Sequence, residues 1–128
     1  MNEKSIKKAE DFIVTENAVE YDLLGDVVEL AKEKKITYDY ERDINWYPET
    51  VKSEDDFYDW FESDSTTIDE VYGLVYDITF EAFAELFGHD DGAMHIVYNA
   101  PELFESVYDR IIGNGYVEIE YKNLPEFN

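Results

Sequence analysis

The chain has no cysteine and few basic residues, 10 lysines and arginines against 32 aspartates and glutamates, for a net charge of −22. Without cysteine, disulfide frameworks, thiolate catalysis and cysteine-ligated metals are excluded. The shortage of bases argues against direct binding to nucleic acid or to an anionic membrane surface, since both are polyanions. The chain has no apolar run of membrane-spanning length, and its start, Met1-Asn2-Glu3-Lys4, leads into no signal-type apolar stretch. A cytoplasmic protein is expected on these grounds, in the cytoplasm of a host cell if its target is a host protein.

The shortage is sharpest between Ser53 and Asp109, a stretch of 57 residues with 16 carboxylates and no lysine or arginine. The same stretch holds twelve aromatic residues, so it is not a disordered acidic tract, which would lack the apolar residues needed to fold. Residues 1–35 carry nine acids and six bases, for −3, and residues 36–128 carry 23 acids and four bases, for −19. Charge of this size opposes compaction through self-repulsion and calls for a compensating use. With 45% hydrophobic residues in 128, the chain is expected to fold as one domain, with no linker and no repeat.

Apolar periodicity gives a short helix over Lys4–Ile13. Asn17-Ala18-Val19-Glu20 reads as a capping box that opens a helix to about Lys35. Ile36–Glu41 alternates as a half-buried strand, which Ile44–Tyr47 extends or pairs with before Pro48 ends it. Ser53 caps a helix whose first turn holds Glu54, Asp55 and Asp56. A second capping box, Thr67-Ile68-Asp69-Glu70, opens the longest helix, which Gly88 stops near Phe87. Gly88–Gly92 reads as a loop, Ala93–Tyr98 as a short strand or a helical turn, and Asn99-Ala100-Pro101-Glu102 as a third cap for a helix to about Ile112. Tyr116–Lys122 is a strand expected to pair antiparallel with Ile36–Glu41. The predicted fold is therefore α+β, helix-dominated, with a small antiparallel sheet.

The longest helix divides into stripes at about 100° per residue. Ile68, Val71, Val75, Ala82 and Leu86 make an aliphatic stripe, and Tyr72, Tyr76, Phe80, Phe83 and Phe87 an aromatic one. Glu70, Asp77, Glu81 and Glu85 lie opposite. Such a wide apolar arc predicts a central helix, with Gly73 expected at a close packing contact. Asp77, Glu81 and Glu85 repeat at i, i+4 and i+8 with no cation between them, an arrangement that destabilises a helix by a few tenths of a kcal/mol per pair. At a 1.5 Å rise the repeat places a charge every ~6 Å along the axis.

Chemical constellations are sparse. His89-Asp90-Asp91-Gly92-Ala93-Met94-His95 gathers two histidines and two acids but fails the EF-hand pattern, because Tyr98 stands where a glutamate is needed. No metal site, cofactor or catalytic residue is expected. The acids Asp55, Asp56, Asp59, Glu62 and Asp64 offer calcium ligands or a hydrolytic pair only in the way any acid-rich segment does. No nucleophile–histidine pair and no phosphate-binding glycine loop is present. Trp46-Tyr47-Pro48 is either a recognition patch or core packing.

Size, net charge, absent cysteine and acidic helices studded with aromatics resemble, at the level of class, the DNA-mimic anti-defence proteins of phages and mobile elements, of anti-restriction or anti-CRISPR type. The resemblance covers roughly residues 37–128 and rests on charge layout rather than on any motif. It implies a non-catalytic inhibitor that imitates DNA phosphate charge and fills the basic cleft of a defence nuclease or other DNA-binding protein. The residues expected to carry this are Asp55, Asp56, Asp59, Glu62, Asp64, Glu70, Asp77, Glu81, Glu85, Asp90 and Asp91. An immunity protein or antitoxin against a basic toxin is the alternative, with Trp46 and Tyr47 as its compact patch. A metal-binding module or hydrolase, and a halophilic protein whose acids only hold water, are the remaining readings. The oligomeric state is open, a homodimer included.

Overall fold

The computed structural model describes residues 2–18 and 20–127. Among them the order is α1 (Glu3–Glu16), α2 (Leu24–Lys32), β1 (Lys35–Asp39), α3 (Glu54–Ser63), α4 (Ser65–Phe87), α5 (Asp90–Asn99), α6 (Pro101–Gly113) and β2 (Glu118–Lys122). No helix among the described residues is long and apolar enough to cross a membrane.

Helix α4 is the centre, packing against each of the other five helices. Its wide apolar arc gives it that place, but the arc is buried unevenly. Val75, Ile78, Thr79, Ala82, Phe83 and Phe87 are buried, whereas Tyr72 and Tyr76 are each 45% exposed. Phe83 meets Phe12 of α1 edge-on at 5.8 Å and stacks on Phe104 of α6 at 5.9 Å. A second aromatic cluster centres on Phe57 of α3, which touches Tyr40, Tyr47, Trp60, Phe61 and Tyr121. The acidic middle of the chain is thus held by rings on its inner faces.

The two strands pair in parallel, with Ile36 beside Ile119 and Tyr38 beside Tyr121, and not antiparallel as expected. Alternation settles which side chains face inward, and that alternation is satisfied in either direction. Direction depends on how the chain returns, and here α3–α6 form the long crossover that a parallel pair requires. Ile44–Tyr47 forms no strand.

Several boundaries also differ from expectation. The first helix, expected over Lys4–Ile13, is longer at both ends, and Asn2 caps it by accepting from the Ser5 N–H. Asn17 terminates α1 instead of opening α2; Val19, inside that expected box, lies outside the described residues. The Leu23 N–H is taken by the Glu16 carboxylate at 2.7 Å, and α2 starts one residue on without a side-chain cap. Asp64, not Thr67, caps α4, accepting from the Thr67 N–H at 3.4 Å. Gly88 stops that helix as expected, at φ 85°, a left-handed conformation that glycine adopts without strain. Asp90–Gly92 of the expected loop and the ambiguous segment after it are helix α5, capped by the His89 ring nitrogen. Ala100 heads α6 with no side-chain cap, and Pro101 fills the first position.

The close packing expected at Gly73 is found at Gly92. A Cβ at Gly73 would have open space around it, whereas one at Gly92 would overlap Ser5 Oγ and come within 2.7 Å of Phe87 Cβ. The Gly92 N–H donates to Ser5 Oγ at 2.8 Å, and that hydroxyl donates to the His89 carbonyl at 3.0 Å. The buried Ser5 therefore ties α1 to the start of α5.

Candidate functional site

The acids of α3 are exposed because the opposite side of the helix is committed to Phe57 and Phe61. Asp55 and Asp59 point to solvent without a cationic partner among the described residues. Asp56 is also exposed, but its carboxylate accepts from the Lys52 N–H at 3.1 Å. Asp64 serves α4 as its cap. Glu62 accepts from the Tyr121 hydroxyl at 3.1 Å, and Glu54 from the Tyr58 hydroxyl at 2.5 Å. The hydrogen bond to Glu54, then burial, pushes the Tyr58 phenol up to about 12. Burial, then the Glu62 charge, raises Tyr121 as well. Each phenol thus donates to one carboxylate and holds it against the aromatic cluster.

On α4, Glu70, Asp77, Glu81 and Glu85 all face solvent. At 1.5 Å per residue the row from Glu70 to Glu85 runs about 22 Å. It is not free of cations, as the local sequence suggests. Lys34, just beyond α2, lies 3.2 Å from Glu85, and Lys34 and Lys35 border a cleft of about 250 Å³ shared with Asp77 and Glu81. Among the described residues, Glu85 alone of the 16 acids between Ser53 and Asp109 has a lysine or arginine within 4.0 Å.

Asp90 and Asp91 occupy the first turn of α5, beyond the far end of α4. Asp90 is exposed; Asp91 is half-buried and accepts from the Asn2 N–H. The expected residues thus sit on three successive elements, α3, α4 with its cap, and the start of α5. Among the described residues, no group of three or more histidine or acidic side chains is placed to hold a metal ion.

Trp46 and Tyr47 are separated by the fold. Trp46 is 65% exposed, with its edge against Trp60 at 5.9 Å. Tyr47 turns inward to Tyr40, Phe57 and Phe127.

One feature escapes a one-dimensional reading. An apolar groove of about 340 Å³ runs between the first half of α4, the end of α6 and the start of β2, lined by Ile68, Val71, Tyr72, Ile112, Val117 and Ile119. Helical periodicity assigns Ile68 and Tyr72 to the core, but no element among the described residues covers them, and they remain 37% and 45% exposed. Among the described residues, the one charged residue lining the groove is Glu62.

Compared with protein-family models, curated proteins and solved structures, the chain matches none.

Proposed function

We propose that the protein is a non-catalytic inhibitor that offers a basic DNA-binding protein, such as a defence nuclease, an acidic ridge in place of the DNA backbone. One observation carries the reading. Of the eleven ridge acids, only Glu85 is paired with a lysine or arginine among the described residues. Helical surfaces ordinarily intersperse the two signs of charge, which lowers repulsion at i, i+4. Keeping the ridge unneutralised has a cost in stability and a gain in steering toward a positive cleft.

The experiment is capture of the partner from a plausible host lysate at low and high salt, followed by competition with labelled duplex DNA. Binding is expected to weaken as salt rises, and DNA and this protein are expected to displace each other. A stable ternary complex of partner, DNA and this protein rules the reading out.

A second reading, an immunity protein or antitoxin against a basic toxin, draws on the exposure of Trp46. An exposed tryptophan braced by a second ring suits a compact anchor. In that case Trp46→Ala weakens binding more than reversal of the α4 acids does.

A further inference from the structure

We infer that the groove between α4, α6 and β2 takes a large apolar side chain presented by a cationic segment of a partner protein. Charge mimicry alone has no use for such a groove, so the inference goes beyond the proposed function. It shares with that reading only the premise of a basic partner, and it does not require competition with DNA.

Ile68 and Tyr72 are left open to solvent while the groove walls, Val71, Ile112, Val117 and Ile119, are already half-buried. A large side chain entering there would complete a packing layer instead of landing on a flat surface. Tyr76, 4.7 Å from Phe104, extends the aromatic margin along α4. Aromatic margins of this kind concentrate binding energy at interfaces.

The charge around the groove selects the occupant. Among the described residues its lining contains Glu62 and no lysine or arginine. Asp69 and Asp109 are exposed on α4 and α6, the two helices that flank the groove. A bare apolar occupant would leave Glu62 without a cation beside it, whereas lysines flanking an apolar anchor would meet Glu62 and the acid-rich helices around the groove. A second copy of this chain is disfavoured, because each copy carries −22.

The test uses three labelled synthetic peptides and the full chain. One peptide has a central tryptophan flanked by lysines, the second replaces the tryptophan with alanine, and the third replaces the lysines with serine. Affinities come from fluorescence anisotropy at one fixed salt, and the site from amide shift mapping on the unmodified protein. The lysine–tryptophan peptide is expected to bind at least about tenfold more tightly than either of the others. Its shifts are expected to cluster at Ile68, Tyr72, Ile112 and Val117. Tyr72→Ser, at an exposed position, is expected to erase the advantage of the tryptophan while melting close to the parent.

Equal binding of the alanine peptide leaves only charge and overturns the inference. So does equal binding of the serine peptide, which leaves only apolar contact, or shifts centred elsewhere. A dimer in solution that Tyr72→Ser dissociates also overturns it, because the occupant is then a second copy. Loss of the tryptophan effect with DNA competition intact removes the groove alone. A ternary complex with the peptide result intact removes the DNA-mimic reading alone.

Discussion

The Lys34 ammonium lies 3.2 Å from the Glu85 carboxylate, joining the end of α2 to the acidic face of α4 across 51 residues of sequence. This contact decides which charge reversals are informative. Reversing Glu85 would set two ammonium groups side by side, so its loss of binding would mix electrostatics with local disruption. Asp77 and Glu81 border a cleft with Lys34 and Lys35, but neither has a lysine or arginine within 4.0 Å among the described residues.

Asp77→Lys together with Glu81→Lys is therefore the cleaner variant. Urea unfolding should show a change within about 1 kcal/mol of the parent, as expected for exposed charges. Affinity for the captured partner should fall, and more so at low salt than at high salt. The complementary variant, Lys34→Ala, removes the one lysine or arginine paired to the ridge among the described residues and should leave partner binding equal or tighter. Weaker binding by Lys34→Ala would mean that the lysine itself contacts the partner.

The central helix gives a prediction that separates neighbouring rings. Phe83 is fully buried between Phe12, Phe87 and Phe104, whereas Phe80 is only half-buried. Phe83→Ala should cost about 3–5 kcal/mol, and Phe80→Ala less than about 2 kcal/mol. Equal losses in chemical denaturation would show that α4 is rotated from the orientation described.

How much of this is legible in sequence follows from the range of each interaction. Ser53 and Gly88 are readable because a cap and a left-handed stop involve a few adjacent residues. His89 as the cap of α5 is not, since histidine is no usual cap and the neighbouring Asp90 and Asp91 draw the eye. Strand positions are readable from alternation, but their direction is set by four helices of crossover. Most acids of the ridge are readable as exposed, Asp64 and Asp91 excepted; the lysine beside Glu85 is not readable, because only tertiary packing brings Lys34 there. The groove is hidden for a related reason: Ile68 and Tyr72 continue a core periodicity past the point where anything packs on them.

Two glycines test the helix contacts directly. Gly73 lies exposed in the interior of α4 with no atom near an added Cβ, so Gly73→Ala should stabilise by about 0.5–1 kcal/mol. Gly92→Ala would drive a methyl group into Ser5 and Phe87, and Ser5 cannot retreat without giving up its bonds to Gly92 and His89. A loss of about 1–3 kcal/mol is expected, as for overpacking elsewhere. If thermal melting ranks the two variants the other way, the α1–α5 contact is looser than described.

The phenol of Tyr38 provides the last prediction. Its ring is buried edge-on to Phe61 at 4.9 Å, and its hydroxyl has no hydrogen-bond partner among the described residues. Burial, reinforced by the charges of Glu70 and Asp43, pushes this phenol up to about 12. A group whose folded value is raised favours the folded state below its unfolded value, and that contribution is lost as pH climbs through the folded value. Tyr38, with Tyr58 and Tyr121 raised beside it, should therefore make stability fall between about pH 10, the ordinary tyrosine value, and about pH 12. Tyr38→Phe removes one of these groups, so its stability should fall less steeply across that window. At neutral pH the same variant should be more stable than the parent by about 1 kcal/mol, because it deletes a buried hydroxyl that makes no bond. Denaturant unfolding at pH 7 and at several points up to pH 12 measures both effects. A clear loss of stability at pH 7 would show that the hydroxyl is bonded in solution, and an unchanged alkaline slope would show that Tyr38 does not contribute to it.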